Sequence, residues 1–357
     1  MIKSIQGFCL PRAGLLLALT LMAGPGWSQD APDPAYMAPL ASSNALILDA
    51  VSIDGHIVAV GERGVILISD DAGDSWKQAN VPTRAVLTSA YFHDRDLGWV
   101  VGHDSIVLKT ADGGDNWTVT NFAPELEQPL FDVWFADANN GMAVGAYGAM
   151  IVSDDGGDTW QESVLETVEF GAAAEETVVE AGGEDDEVSD ENDAFWEDED
   201  LPADFHLNVI VSDAQGRLFI AAEAGNIYRS DDGGASWALM PSFYLGSFFG
   251  ATVTDNDELY VTGLRGHVFR SQDGAENWDE LDSGVETSLN GVAGLPEGGL
   301  AVVGMSGTLL ISRDGGESFE LVQQSNRKAL MGAMPLADGG LLLYGEAGLT
   351  KLKAGEF

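Results

Sequence analysis

Short apolar runs separated by polar turns make up most of this 357-residue chain. The first clear unit contains three such runs, Ala45 to Ile53, Ile57 to Val60 and Val65 to Ile68, followed by a more polar fourth run, Trp76 to Asn80. Short runs rich in Val, Ile and Leu between glycine and aspartate turns are typical of β-strands. Because the same succession returns along the chain, the pattern predicts an all-β protein built from four-stranded units.

The turn before the fourth run is an Asp box, Ser/Thr-x-Asp-x-Gly-x-x-Trp. Its six copies are Ser69 to Trp76, Thr110 to Trp117, Ser153 to Trp160, Ser230 to Trp237, Ser271 to Trp278 and Ser312 to Phe319. Ala275 replaces the glycine in the fifth copy, and Phe319 replaces the tryptophan in the sixth. The box aspartates, separated by 41, 43, 77, 41 and 41 residues, are Asp71, Asp112, Asp155, Asp232, Asp273 and Asp314. A period near 41 is typical of propeller blades, and the long step is one period plus an insert.

The residue types of the box fit a structural role. The hydroxyl and the carboxylate can satisfy amides of the turn, the glycine allows a positive φ, and the aromatic ring packs on a neighbouring unit. Carboxylates also serve metal sites and catalysis, but each box lies in its own repeat, so the copies do not converge on one site. We therefore expect no catalytic residue, no metal and no cofactor.

A Gly-x-x-Gly element joins the second and third runs of every unit. Its seven copies begin and end at Gly61/Gly64, Gly102/Ser105, Gly145/Gly148, Ala222/Gly225, Gly263/Gly266, Gly304/Gly307 and Gly345/Gly348. No helix follows these glycines, as a phosphate-binding loop would require. Seven copies predict a seven-bladed β-propeller over residues 44–353, with blades at about 44–80, 85–122, 129–165, 206–240, 246–281, 288–323 and 328–353. Since the last unit has three runs, we expect a segment around Tyr36 to Ala41 to supply its outer strand and close the ring.

Residues 1–28 have the pattern of a secretory signal peptide. Lys3 and Arg12 flank a basic region, Ala13 to Ala23 is an apolar run too short to span a bilayer, and small residues precede Gln29. The single cysteine, Cys9, lies before that run, so the mature chain would contain no thiol or disulfide. We expect a periplasmic or secreted protein without a transmembrane segment, in which residues 29–43 form a leader.

Charge restricts the class of partner. The chain has 16 Lys and Arg against 58 Asp and Glu, a formal net charge of -42. Such a surface repels nucleic acids and anionic lipid headgroups, so we expect no nucleic-acid partner. We expect the protein to be a monomer.

The insert between the third and fourth units, residues 165–205, contains 17 acidic residues and no Lys or Arg. Its acidic runs cannot bury enough apolar surface to become ordered, so we expect most of it to be disordered. Phe195 and Trp196 are the exception, because adjacent exposed aromatics are a possible docking point.

Scarce basic residues collect on one predicted face of the ring. The Gly-x-x-Gly turns and the blade-to-blade loops share this face, and the Asp boxes lie on the opposite one. The predicted binding face comprises Arg63, Arg84, Arg265, Arg327, Lys328, His103 and His206. Five of the 14 Lys and Arg after the signal segment lie there, which fits either a binding surface or local charge balance with neighbours such as Glu62.

The repeats resemble those of the photosystem II stability/assembly factor family. The resemblance rests on the seven Gly-x-x-Gly copies, on boxes such as Ser230 to Trp237, and on stretches such as Phe131 to Phe135 with Gly141 to Gly145. It covers about Asn44 to Lys353. It implies a seven-bladed propeller without enzymatic activity that binds membrane-protein assembly intermediates through an arginine-bearing face. The acidic insert and the extreme charge depart from that family.

Two functions from different classes remain. The first is a periplasmic or secreted scaffold that assists the assembly or stability of a membrane protein complex. The second is a sialidase-like glycoside hydrolase, since Asp boxes also occur there. It would need three arginines and a Tyr/Glu pair at the channel, for which Arg63, Arg84, Arg265, Arg327 and the Tyr344-Gly345-Glu346 stretch are candidates. The Phe/Tyr-Arg-Ile-Pro opening of sialidases is absent.

Overall fold

The computed structural model describes residues 32–38, 41–165, 167–169 and 205–357. The predicted signal peptide and the predicted docking pair Phe195 and Trp196 lie outside these ranges. Seven antiparallel sheets follow one another from Ile47 to Leu352, and the predicted seven-bladed β-propeller is confirmed. In the part of the chain so described, no helix has the length and apolar character needed to cross a membrane.

The strands of the first four blades are numbered in chain order. Blade 1 has β1 (Ile47–Ile53), β2 (His56–Gly61), β3 (Ile66–Ser69) and β4 (Lys77–Gln78), and blade 2 has β5 (Leu87–Phe92), β6 (Gly98–Gly102), β7 (Val107–Thr110) and β8 (Thr118–Asn121). Blade 3 has β9 (Leu130–Phe135), β10 (Gly141–Gly145), β11 (Met150–Ser153) and β12 (Gln161–Ser163). After β13 (Thr167–Glu169), blade 4 has β14 (Leu207–Ser212), β15 (Leu218–Ala222), β16 (Ile227–Ser230) and β17 (Trp237–Leu239).

The remaining three blades continue the same meander. Blade 5 has β18 (Phe248–Val253), β19 (Leu259–Gly263), β20 (Val268–Ser271) and β21 (Asp279–Leu281). Blade 6 has β22 (Leu289–Leu295), β23 (Gly299–Gly304), β24 (Thr308–Ser312) and β25 (Glu320–Leu321), and blade 7 has β26 (Leu330–Pro335), β27 (Leu341–Gly345) and β28 (Gly348–Leu352). One short α-helix, α1 (Ala41–Asn44), precedes β1. The first strand of each blade contacts the first strand of the next, and β26 contacts β1, so the ring is closed at its centre.

The predicted closing strand is not seen among the described residues. Among the described residues the last sheet has three strands, and Ala41–Asn44 is helical. The leader lies on the first blade instead: the amide of Ala35 donates to Val81 O at 2.8 Å, and the side chain of Gln78 binds both Tyr36 O and Ala38 N. These hydrogen bonds place residues 35–38 at the outer edge of blade 1, and the α1 helix that follows contacts β28.

The core consists of seven apolar clusters, one between each pair of neighbouring blades. In six of them the aromatic residue of a box packs against the preceding blade, as Trp117 does between blades 1 and 2. The seventh blade has no box, and Phe357 packs in the cluster between blades 6 and 7. Phe357 therefore fills the place that the box aromatic has elsewhere.

The start of the acidic insert differs from the expectation of disorder. Thr167–Glu169 forms β13, which pairs in parallel with β17 as a fifth strand on the outer edge of the fourth blade. The backbone of β17 presents an edge that this extended segment can hydrogen-bond, so these three residues are ordered without a core of their own. The rest of the predicted disordered stretch, apart from its two ends, lies outside the described residues.

Candidate functional site

The Gly-x-x-Gly turns explain their own residue pattern. In the first turn the third residue, Arg63, has φ 55° and ψ 32°, and Gly64 follows at φ 72°. A Cβ on Gly64 would lie 2.0 Å from Thr83 O in the loop to the next blade. The turn therefore has no room for a side chain at its last position, and the side chain of its third residue lies at the surface.

The six Gly-x-x-Gly turns of blades 1 to 6 place their third residues in the same left-handed conformation. These residues are Arg63, Asp104, Tyr147, Ala224, Arg265 and Ser306. The turns join the second and third strands, whereas the boxes join the third and fourth, so the two lie at opposite ends of the antiparallel blades. We call these ends the Gly-x-x-Gly face and the Asp-box face.

The basic rim, Arg63, Arg84, Arg265, Arg327 and Lys328, lies on the Gly-x-x-Gly face, and all five side chains are exposed. Three of them have long ion pairs, of 3.8 Å from Arg63 to Glu62, 3.7 Å from Arg84 to Asp33 and 3.9 Å from Lys328 to Glu346. Arg265 and Arg327 form no ion pair with any described residue. Arg84 Nε also donates to Pro34 O at 2.8 Å, whereas the other four cations are held weakly enough to remain available to a ligand.

The rim residues are spread around the ring rather than gathered in one place. Arg63 and Arg84 belong to neighbouring loops of blade 1, because Gly64 N donates to Ala85 O at 2.9 Å. Arg327 and Lys328 are adjacent in the loop between blades 6 and 7, and Arg265 lies alone on blade 5.

The two predicted histidines have different surroundings. His103 is exposed in the turn of blade 2. His206 is half-buried, its Nδ1 accepts from Tyr147 N at 2.9 Å, and its ring contacts those of Tyr147 and Phe131. His206 therefore orients the turn of blade 3 and is less available to a ligand than His103.

Exposed apolar side chains on the same face went unnoticed in the sequence. The Gly-x-x-Gly turns and blade-to-blade loops expose Leu126, Tyr147, Leu245, Leu264 and Met305, and Phe249 lies exposed at the start of β18. Leu245 has 89% of its surface exposed. Their exposure could have been predicted from the sequence, because Leu264 and Met305 occupy the second position of their Gly-x-x-Gly turns and Tyr147 occupies the third. The face thus combines loosely paired cations with exposed apolar groups, as binding surfaces do.

On the Asp-box face the box side chains bind their own turns. Ser69 Oγ donates to Asp71 Oδ1 at 2.8 Å and accepts from Gly73 N at 2.9 Å, and Asp71 accepts from the amide and hydroxyl of Ser75. The hydrogen bond from the Ser75 hydroxyl is the main reason that the pKa of Asp71 falls to about 2. Hydrogen bonds from Thr159, first from its amide, lower the pKa of Asp155 to about 2 in the same way.

The cations on this face bridge neighbouring blades. At five of the seven seams in the described structure, a cation of one blade pairs with the sixth residue of the next box. The pairs are Lys77–Asp115, Lys109–Asp158, Arg229–Glu276, Arg270–Glu317 and Lys351–Asp74, at 2.6 to 3.4 Å. The fourth box has Ala235 at that position, and the seventh blade has no box. We call these five cations the clamp cations and their ion pairs the clamp pairs, because they hold neighbouring blades together.

The central channel contains a cavity of about 210 Å³ lined by the first strands of all seven blades. One residue of each first strand bulges out of register and lines it: Leu48, Thr88, Phe131, Asn208, Phe249, Asn290 and Met331. Three of the polar side chains donate to a carbonyl of the next blade, as Thr88 does to Leu130 O at 2.7 Å. The bulges thus join blades across the channel wall.

Residues that a sialidase-like site would need are not brought together. The described lining of the channel cavity contains no arginine, and the four candidate arginines lie exposed on the Gly-x-x-Gly face. Tyr344 reaches the channel and donates to Asp49 Oδ1 at 3.3 Å. Glu346 lies in the Gly-x-x-Gly turn, where it accepts from Ala329 N at 3.3 Å. The candidate residues Tyr344 and Glu346 therefore do not form a pair.

Fold and repeats together define a class: a seven-bladed Asp-box propeller resembling the photosystem II stability/assembly factors. The family model described as "Photosynthesis system II assembly factor YCF48" matches residues 35–127 and 68–162, which confirms the resemblance seen in the motifs. The chloroplastic photosystem II stability/assembly factor HCF136 of Cyanidioschyzon merolae is 33% identical over 81 residues, which are 21% of this chain and 18% of that protein.

Solved structures show the same fold. A structure of YCF48 bound to D1 peptide is 19% identical with a TM-score of 0.66, and the match covers 91% of this chain and 99% of that one. An ancestral GH74 enzyme is 13% identical with a TM-score of 0.62, covering 90% of this chain and 46% of the enzyme. At such identities these structures establish the propeller and leave the activity open.

Proposed function

We propose that this protein is a non-enzymatic binding scaffold in the periplasm or outside the cell, where it assists the assembly or stability of a membrane protein complex. The Gly-x-x-Gly face is the binding surface. The observation that carries the proposal is the contrast in pairing: the rim cations have loose ion pairs or none, while clamp cations on the other face have tight ones. In a chain of net charge -42, these five exposed cations give an acidic partner separate points of attachment around the face.

The comparisons support the kind of partner. The matched family model and the HCF136 relative carry the names of photosystem II assembly factors, and a similar propeller has been solved with a peptide of D1. By extension, the partner of this chain is a membrane protein subunit with an accessible peptide segment. Arginine suits acidic groups of such a segment because its planar guanidinium binds a carboxylate through two parallel hydrogen bonds. The exposed Leu264 and Met305 would receive apolar side chains of the same segment.

The test is capture of a membrane protein by two charge-matched double variants. The rim variant carries Arg265→Gln and Arg327→Gln, which removes the two cations without an ion pair to a described residue. The control carries Arg95→Gln and Arg313→Gln, two exposed arginines of the Asp-box face that pair with Asp70 and Glu320. Both variants lose two positive charges, so general electrostatics change equally.

We expect the wild type and the control to retain one membrane protein from detergent-solubilised membranes of the source organism, and the rim variant to lose it. Mass spectrometry identifies the retained protein. Equal capture by the two variants, both shown to be folded, would remove the rim as the binding surface. Hydrolysis of a sialoside by the wild type, abolished in the rim variant, would instead establish the glycosidase.

A further inference from the structure

Two carboxyl groups meet in the channel through one serine hydroxyl. Ser89 Oγ lies 2.6 Å from Asp132 Oδ1 and 3.2 Å from Asp49 Oδ2. The carboxyl groups also accept from backbone amides: Asp49 from Ala50 N and Ala90 N, and Asp132 from Val133 N and Ile210 N, all at 2.8 to 2.9 Å. Asp49, Ser89, Asp132 and Tyr344, whose hydroxyl donates to Asp49, form what we call the channel relay.

The relay has one hydrogen too few when both carboxyl groups are ionised. A serine hydroxyl donates a single hydrogen and can accept others. If Ser89 donates to Asp132, its contact with Asp49 brings two oxygen lone pairs together with no hydrogen between them. One added proton on either carboxyl group removes this repulsion, because that group then donates to Ser89 while Ser89 donates to the other. The distances therefore fit a relay that holds one proton.

No positive charge compensates the pair within the described lining of the channel. The residues that line the channel cavity include three titratable groups, Asp49, Asp132 and Tyr344, and no Lys, Arg or His. Burial raises the pKa of Asp132 to about 7, and the charge of Asp49 adds to that effect. Burial also raises the pKa of Asp49, and it raises that of Tyr344, which thus stays a hydrogen donor. Such a pair titrates as a unit.

The relay also spans most of the ring. Its groups come from β27 of blade 7, β1 of blade 1, β5 of blade 2 and β9 of blade 3, and Ile210 N extends it to blade 4. It therefore crosses the seam between the first and last blades. Blades 5 to 7 have Gly250, Gly291 and Gly332 at the positions equivalent to Asp49, and the ring of Tyr344 fills the space beside Gly332.

We propose that Asp49 and Asp132 share one proton through Ser89 and that its release weakens the contact between blades 1 and 2 at the channel, which makes the stability of the ring sensitive to pH. The sign follows from linkage. A carboxyl group whose pKa is higher in the folded than in the unfolded protein stabilises the fold fully below the unfolded value, near 3.8 for Asp, and that stability is lost as pH rises through the folded value, about 7 for Asp132.

Two measurements on the full chain test the proposal. Infrared spectroscopy detects the C=O stretch of a protonated carboxylic acid, which is separate from the bands of ionised carboxylates. We expect the wild type at pH 6 to show one such band that disappears as the pH is raised past 8, and Asp132→Asn to lack it. The matched control, Asp255→Asn, removes an exposed carboxylate at the opposite mouth of the channel and should keep the band.

Thermal unfolding supplies the second measurement. The Tm of the wild type should fall between pH 4 and pH 7 more steeply than that of Asp132→Asn, and Asp255→Asn should follow the wild type. In Asp132→Asn the amide group that replaces the carboxyl cannot accept both backbone hydrogen bonds, which shifts the Tm of that variant equally at every pH. Equal slopes in the wild type and Asp132→Asn, or no acid band in the wild type at pH 6, would overturn the proposal.

A further variant tests the bridge itself without removing a carboxyl group. In Ser89→Ala the two groups lose their common partner, so we expect the acid band to shift in frequency and to titrate at a different pH. An unchanged band would show that Ser89 does not carry the proton between them. A Tm that rises with added Ca²⁺ in the wild type but not in Asp132→Asn, with no acid band, would show that a cation occupies the relay instead.

Discussion

The two faces of the ring use the same residue types for different purposes. On the Asp-box face, cations lie 2.6 to 3.4 Å from box carboxylates of the next blade, and the box aspartates bind their own turns. On the Gly-x-x-Gly face, the ion pairs of the basic rim are 3.7 to 3.9 Å long or missing within the described residues, and apolar side chains are exposed. The first face holds the blades together, and the second leaves its groups available.

The largest expected difference between the faces concerns glycine. Gly266, on the Gly-x-x-Gly face, has φ 80°, and a Cβ there would lie 1.9 Å from Val285 O. Gly233, in the fourth box, has φ 75° with open space around it. We expect Gly266→Ala to destabilise the protein by about 3 kcal/mol, from strain and steric conflict, and Gly233→Ala by about 1 kcal/mol, from the backbone alone. Equal losses in urea unfolding would show that the Gly-x-x-Gly loops move apart to accept the side chain.

A second comparison concerns one apolar side chain from each face. Phe357→Ala should destabilise the protein by about 2 kcal/mol, because a fully buried Phe→Ala change costs about 3 to 5 kcal/mol and Phe357 is half-buried. Leu245→Ala, on the Gly-x-x-Gly face, should change the unfolding free energy by less than about 0.5 kcal/mol, since most of that side chain is already in water. If Phe357→Ala has no effect on unfolding, Phe357 does not replace a box aromatic.

Sequence alone predicted the repeat architecture because each blade carries its own local signals. Six boxes at a nearly constant period and seven Gly-x-x-Gly turns need no knowledge of distant contacts. The closing strand depended on one distant pairing, and it is not seen among the described residues, where Gln78 and Val81 of blade 1 bind the backbone of Tyr36, Ala38 and Ala35. Strand propensity does not reveal which of two sheet edges a segment will choose.

The channel relay could not be predicted for a related reason. Asp49, Ser89 and Asp132 each follow a bulged residue of their first strand. A bulge inserts one residue and reverses the alternation of inward and outward side chains, so a period of two assigns these positions to the wrong side. The clamp pairs were also missed, because the cation and the carboxylate belong to different repeats. The basic rim was located from turn positions alone, and its role as a binding site stays a prediction.

The ion pairs of the two faces should differ in their effect on stability. Lys109 Nζ lies 2.6 Å from Asp158 across the seam of blades 2 and 3, and its side chain is 20% exposed. Lys109→Met should therefore lower the unfolding free energy by about 1 kcal/mol at low salt, and by less at high salt as screening weakens the pair. Lys328→Met, whose pair with Glu346 is 3.9 Å long, should have no measurable effect. A loss from Lys109→Met that is the same at all salt concentrations would mean that packing of its aliphatic part, rather than charge, joins the blades.

The smallest expected effect is the most informative for function. Replacing Arg265 and Arg327 by Gln should change the unfolding free energy by less than about 0.5 kcal/mol, because neither side chain has an ion pair with a described residue and both are exposed. Both residues have left-handed backbones, with φ of 58° and 53°, and Gln tolerates that conformation about as well as Arg, so the turns should keep their shape.

The charge-matched change of Arg95 and Arg313 should lower the melting temperature, since these arginines pair with Asp70 at 2.7 Å and with Glu320 at 3.3 Å. The two faces would then differ fully in their effects. The variant of the Asp-box face would lose stability and keep the partner, and the variant of the Gly-x-x-Gly face would lose the partner and keep its stability. A clear drop in the melting temperature of the Arg265/Arg327 variant would instead assign these arginines to the structure of the ring, and capture experiments with it would no longer report on binding alone.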